Sequence, residues 1–251
     1  SSWLLEAAIA RCNRLKPDLI CLTGDYVTDD PTPIHALATQ LQRLESRLGT
    51  YAVLGNHDIE QPGAQEMVYG ALAQAGIRVM WNEVDYLADT PFAIVGLADF
   101  WSREFRPGPV MAPLDPDQPR LVLSHNPDTA ERLRQWRVDL QLSGHTHGGQ
   151  VKLPIVGVVP TWAQHIRPHI PPGVRRFIPY MRKECVKVVR HWEWAQGLHH
   201  VGSNLLYVNR GLGTFPPGRL FCPPEITLLT LTRVEPSLPG VRLENSLSVQ
   251  V

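Results

Sequence analysis

Four apolar runs in this chain each stop at residues able to hold a metal ion. They are ICLTGDY, ending at Asp25; YAVLGNHD, at Asn56 to Asp58; LVLSHN, at His125; and LQLSGHTHGG, at His145 and His147. Short apolar runs bounded by turn residues read as strands buried on both faces. Here they alternate with segments of helical period, and that order builds a sheet of parallel strands joined by crossovers. Ligands of such sheets bind beyond the carboxyl ends of the strands. One sheet edge therefore collects a carboxylate, an amide and several imidazoles.

The spacing predicts a helix from Trp3 to Leu15, stopped at Lys16-Pro17, and a strand over Leu19 to Leu22. A second helix is predicted from Ile34 to Leu48, closed by Gly49, before a strand at Tyr51 to Leu54. A third runs from Ala64 to Ala75 up to Gly76, followed by closely spaced strands at Ile77 to Met80, Val84 to Leu87 and Phe92 to Leu97. That spacing predicts an antiparallel portion and so a mixed sheet. Pro107 to Pro119 reads as a surface loop. Next come a strand at Leu121 to Leu123, a helix at Pro127 to Trp136, and strands at Leu140 to Leu142, Leu205 to Val208 and Ile226 to Thr232. The expected organisation is one α/β domain over residues 1–234, interrupted by an insert at about 160–202, and a tail over 235–251 without a clear period.

Zero formal net charge gives the whole molecule no general affinity for nucleic acid. The insert differs: Pro160 to His200 carries seven Lys or Arg against two Glu, a net of +5 offset by −5 elsewhere. Trp162, Phe177, Ile178, Tyr180, Trp192 and Trp194 are interleaved with that charge. Such a segment either packs as a cap on the core or lies at an anionic membrane surface or lipid-bearing substrate. No RNA-binding motif accompanies it, and no nucleic-acid partner is expected. The four widely spread cysteines form no C-x-x-C pair, against both a zinc knuckle and a disulfide scaffold. No apolar stretch approaches the roughly 18 residues of a membrane span. A cytoplasmic or peripheral membrane location is favoured, with export left open.

The candidate ligands are Asp25, Asn56, His125, His145 and His147. Mixed nitrogen and oxygen ligation without thiolate suits Mn, Fe or Zn rather than a structural zinc or a calcium cage. One carboxylate among neutral ligands suggests that Asp25 bridges two divalent cations, which can clamp a phosphoryl group. Alternate residues of Gly144-His145-Thr146-His147 can share one side of an extended segment, and the neighbouring glycines let backbone crowd the site. Arg210, after a strand, is the candidate phosphate contact, set against an ordinary surface arginine at a turn.

The set GDYV, GNHD, SHNPD and GHTHGGQ, spread over Leu19 to Gln150, resembles the calcineurin-like metallophosphoesterase superfamily. The ending NRGLG…RLFCPPEITLLTL, Asn209 to Leu231, resembles its YkuE/YaeI-like branch. The resemblance implies a four-layer α/β/β/α sandwich and metal-dependent hydrolysis of a phosphodiester or pyrophosphate. It implies that Asp25 bridges the metals, that Asn56, His125 and His145 complete one site, and that His147 belongs to the other. His57 would be the general acid with Asp58 supporting it, an orienting or capping role for Asp58 being the equal alternative. Some relatives in the branch hydrolyse UDP-diacylglucosamine, so the expected substrate is a phosphate-containing small molecule or an amphiphilic lipid of that kind. Members open with a strand ending Asp-x-His, and no such motif precedes Asp25. The chain is accordingly expected to lack the first strand and two ligands of the second site. The alternative is a metallophosphoesterase fold that has lost catalysis and binds partners.

Overall fold

The computed structural model describes residues 2–87, 90–154, 157–175, 177, 188–216, 218–232 and 249–250. The elements in chain order are α1 (Ser2–Leu15), β1 (Ile20–Leu22), α2 (Ile34–Leu41), β2 (Thr50–Ala52), α3 (Ala64–Gln74), β3 (Arg78–Val79), β4 (Glu83–Tyr86) and β5 (Ala93–Gly96). They continue with α4 (Pro107–Met111), β6 (Arg120–Leu123), α5 (Thr129–Leu133), β7 (Leu140–Ser143), β8 (Lys152–Leu153), β9 (Gly157–Val158), α6 (Val159–Ile166) and α7 (Pro172–Arg175). The last are β10 (Gly197–Val201), β11 (Asn204–Val208), β12 (Leu228–Leu229) and β13 (Val249–Gln250).

Two sheets carry the fold. One has the order β1-β2-β3, all parallel; the other is six-stranded, β10-β11-β7-β6-β5-β4, antiparallel only at its two outer pairs. Successive side chains of a strand point to opposite faces, and YAVL shows how that builds layers. Tyr51 and Val53 face inward, meeting Met80, Ile94, Leu121, Leu123, Leu140 and Tyr207 between the sheets. Ala52 and Leu54 face outward under Ile34, Ala38 and Leu41 of α2 and Val68, Ala71 and Leu72 of α3. On the far side Val95, Leu97 and Val122 pack beneath Val110, Met111, Leu114 and Leu133. The result is an α/β fold of mixed sheets flanked by helices, as its apolar pattern implies.

Several local expectations need correction. The helix expected to reach Leu48 stops at Leu41, because Asn13 of α1 captures the following turn: its Nδ2 donates to the Arg43 carbonyl at 2.7 Å and its Oδ1 accepts from Glu45 N at 3.1 Å. The proline-rich loop contains α4, with Pro107 at its first position and Val110 and Met111 buried. The helix expected over 127–136 is confined to α5, and among the described residues the strand over 226–232 pairs only at Leu228–Leu229, against Val249–Gln250. The strand expected at 77–80 is β3, parallel to β2; the antiparallel portion is β4 with β5. β10, at the end of the segment expected to be an insert, forms the edge of the six-stranded sheet. Ile178, Tyr180, Arg182 and Lys183 of the basic segment, and most of the tail, lie outside the described residues. Among the described residues no helix is long and apolar enough to cross a membrane.

Candidate metal centre

The site forms where β1, β2, β6 and β7 end. Asp25 leaves β1 with φ 60, after Gly24 at φ 98. His145 and His147, just beyond β7, hold φ 68 and 52. Positive φ at non-glycine residues costs of order 1–3 kcal/mol each and persists where the surroundings impose it. Three of the five expected ligands share this feature.

Asp58 does much of the imposing on the Asp25 turn. It is fully buried, and its Oδ2 accepts from the backbone N–H of Asp25 at 2.8 Å and Gly55 at 2.8 Å. Its Oδ1 accepts from Tyr26 at 2.7 Å and Val27 at 3.1 Å. The carboxylate thus ties the β1 turn to the β2 turn. Burial pushes its pKa up to about 6, opposed by the backbone N–H groups it accepts from. Its oxygens are taken up by main chain, the orienting role weighed for it beside support of His57.

Asp25, His125 and His145 converge, with one potential ligand atom from each lying within 4.8 Å of the others. His125 Nε2 stands 3.0 Å from Asp25 Oδ2 and 3.1 Å from His145 Nδ1. Behind the cluster, His125 Nδ1 donates to the Thr23 carbonyl at 2.6 Å, and His145 Nε2 donates to the Val188 carbonyl at 3.0 Å. A carbonyl only accepts, so each ring is fixed in the form that turns its other nitrogen toward Asp25. Asn56 Oδ1 and His147 Nδ1 are buried without a hydrogen-bond partner among the described residues. Such orphans in a polar cluster call for a missing partner. This donor set fits a divalent cation: one carboxylate, an orphaned amide oxygen and imidazoles locked with nitrogens inward.

The space is equally specific. A Cβ on Gly55 would lie 2.2 Å from Asp25 Oδ1 and 2.7 Å from His125 Cε1, and one on Gly24 would lie 2.8 Å from His125 Nδ1. Only glycine lets the strand ends approach this closely.

Charge is arranged to match. Burial raises the Asp25 pKa, but the neighbouring His125 outweighs it and holds the carboxyl below the usual range. Burial opposes charge on His125, yet Asp25 keeps its pKa up at about 9. Burial, with His125 nearby, drives His145 down to about 3; burial and Arg219 bring His147 to about 4.

His57 donates its backbone N–H to Asp25 Oδ1 at 3.0 Å. Its ring lies 5.4 Å from Phe215, which also meets His147 at 5.1 Å, and its Nδ1 is 3.4 Å from Glu60 Oε2 without the alignment of a hydrogen bond. Arg210, the candidate phosphate contact, pairs through Nε with Glu225, and its stem packs over Gly148.

Other residues of the site carry weak sequence signals. Asp99, fully buried two residues past Leu97, accepts from Trp101 N at 2.8 Å; burial raises its pKa, and it feels the charges of His125 and Asp25. A carboxylate just beyond an apolar run is the same pattern that marks Asp25. Trp101 sets its ring edge-on to His145 at 5.1 Å while half exposed. Arg219 fastens the segment after β11 to the site by donating to the carbonyls of His147, Arg210, Gly211 and Gly213; it opens the RLFCPPE stretch that carries the branch resemblance, which assigns it no role.

Comparison with known proteins agrees with this geometry. A calcineurin-like phosphoesterase family model matches residues 3–149. The chain is 36% identical over 233 residues to phosphodiesterase YaeI of Escherichia coli, covering 91% of this chain and 75% of that protein. It is 33% identical to the uncharacterized metallophosphoesterase YkuE of Bacillus subtilis, over 90% of this chain and 72% of that one. To the UDP-2,3-diacylglucosamine pyrophosphatase LpxG of Chlamydia trachomatis it is 29% identical, over 90% of this chain and 77% of that protein. The matched segment takes in all four strand-end motifs and the relatives align across nine-tenths of the sequence, so this chain belongs to the calcineurin-like phosphoesterase family and is a phosphoester hydrolase.

Proposed function

We propose that this protein is a phosphodiesterase or pyrophosphatase acting on a small or amphiphilic substrate such as a UDP-diacylglucosamine-like lipid. The observation that carries the reading is the convergence of Asp25, His125 and His145; Asn56 Oδ1 and His147 Nδ1, from the turns that also carry His57 and His145, are buried without partners among the described residues. Asp25, Asn56, His125 and His145 would hold one divalent ion, and Asp25 with His147 would contribute to a second. Mn, Fe or Zn would supply neutralisation of phosphoryl charge and acidification of water.

The chain's own residues do the rest. Asp58 and the Thr23 and Val188 carbonyls keep the ligands oriented before substrate arrives, so little reorganisation accompanies reaction. Water gives one proton to solvent as its oxygen bonds to phosphorus and the bond to the leaving oxygen breaks; protonated His57 gives that leaving oxygen a proton and is reprotonated from solvent. With Nδ1 buried, Nε2 is the His57 nitrogen able to meet a substrate. Phe215 against His57 and His147, and Trp101 against His145, line the approach with aromatic surface. The lipid-like substrate is supported by the basic, aromatic insert and by the similarity to the UDP-2,3-diacylglucosamine pyrophosphatase LpxG of Chlamydia trachomatis.

The test is turnover of bis-p-nitrophenyl phosphate by the full-length protein loaded with Mn, Zn or Fe, then release of uridine monophosphate from UDP-2,3-diacylglucosamine. Turnover abolished by His57→Ala and by chelation is expected. Stoichiometric metal binding without turnover of either compound refutes the reading and leaves a binding scaffold; turnover of the first alone removes the lipid.

A further inference from the structure

We propose that Asp128 is a positioning residue for His145, acting through the main chain of Val188 to His191. The inference rests on His145 being a metal ligand, but its first readout does not depend on catalysis.

Asp128 closes the SHNPD turn that begins at His125, and its own N–H is held by Asn126 Oδ1 at 2.9 Å. The carboxylate is buried. Oδ2 accepts from Arg190 N at 2.7 Å and Oδ1 from His191 N at 3.1 Å. Two residues earlier on the same strap, the Val188 carbonyl accepts from His145 Nε2 at 3.0 Å. One carboxylate on the His125 turn therefore fixes the peptide whose carbonyl orients His145. The two imidazoles that meet at 3.1 Å are joined behind the site as well as within it.

The strap is held in place at other points too. Val189 is fully buried with Trp192 and Ala195. The Ala195 carbonyl accepts from Thr146 Oγ1, within the GHTH motif, at 2.6 Å. The His191 ring stacks on Trp194 at 4.0 Å and lies 2.6 Å from Glu193 and 3.3 Å from Glu131 of α5. What Asp128 adds is two charge-assisted bonds to consecutive N–H groups, which set the rotation of the strap and hence the aim of the Val188 carbonyl. Without that carbonyl His145 can exchange tautomers, and Nδ1 then faces Asp25 bearing a proton. Loss of such an outer partner costs about 10–100-fold in metal affinity.

The experiment uses the full-length protein labelled with ¹⁵N-histidine. Long-range ¹H–¹⁵N spectra of the metal-free wild type should place the His145 proton on Nε2. In Asp128→Ala the resonance should move toward a tautomer mixture, and Mn affinity followed by electron paramagnetic resonance should fall about 10–100-fold. Asp128→Asn, which keeps one acceptor and the side-chain volume, should fall between and serves if the alanine variant does not fold. A purely structural anchor would lower the unfolding midpoint and leave His145 in the Nε2–H form with Mn affinity within twofold of wild type. That outcome in either folded variant overturns the proposal. Tautomer loss with no metal binding by the wild type would instead refute the metal-centre reading alone.

Discussion

Gly55→Ala separates the effect of space from every other property of the site. Gly55 does not hold a left-handed φ, so its backbone accepts alanine without strain. The new methyl would stand 2.2 Å from Asp25 Oδ1, 2.7 Å from Asp25 N and 2.7 Å from His125 Cε1, where ordinary contact begins at 3.4 Å. Asp25 or Gly55 must yield by roughly 1 Å. Rotation of the carboxylate alone does not relieve the clash, because the Asp25 N–H is gripped by Asp58 at 2.8 Å and Oδ1 accepts from His57 N at 3.0 Å. Overpacking of this kind costs about 1–3 kcal/mol of stability. A 1 Å displacement of a reacting group costs about 100-fold in rate. We expect kcat/KM for bis-p-nitrophenyl phosphate to fall about 100-fold at saturating Mn, equivalent to about 2.7 kcal/mol of transition-state stabilisation. Titration calorimetry should show weaker Mn binding. Gly70→Ala in α3, whose added Cβ meets nothing within 4 Å, is the control and should gain about 0.5–1 kcal/mol. A Gly55→Ala protein with wild-type turnover and metal affinity would refute the reading of this glycine as the wall of the Asp25–His125 cradle.

Asp58→Asn keeps one carbonyl oxygen and turns an amide toward two N–H donors, either those of Asp25 and Gly55 or those of Tyr26 and Val27. Each stranded buried donor costs about 1–3 kcal/mol, so urea denaturation should show a loss of about 2–6 kcal/mol, and no loss would remove the clamp. Metal uptake should release a proton. His125, with its pKa held up near 9, is protonated in the metal-free protein at pH 7.5, whereas His145 and His147, held near 3 and 4, are already neutral. The raised pKa gives the metal-free protein stability that is fully present below the unfolded histidine value and lost as pH rises through about 9. Calorimetry at pH 7.5 in buffers of different ionisation enthalpy should therefore report about one proton released with the first ion. Zero release would contradict the Asp25–His125 pairing.

The sequence by itself determined the α/β class, the succession of strands along the chain up to β7, and the edge at which the chemistry sits. Period, turn residues and strand-end polarity are local properties that each segment carries with it. YAVL, buried on both faces, is legible without knowing what covers it. Only the tertiary structure decided the contacts that join distant segments. Asn13 ends α2 from thirty residues away, a competition between helix propensity and a side-chain capture that no window of sequence displays. Asp58 reads as a partner of the adjacent His57, yet its oxygens go to backbone more than thirty residues earlier as well as to Gly55. The Val188 carbonyl belongs to every residue type alike, so its place behind His145 has no letter in the sequence. A ligand's identity is thus written in one residue, whereas its orientation depends on backbone groups that the fold alone brings into reach.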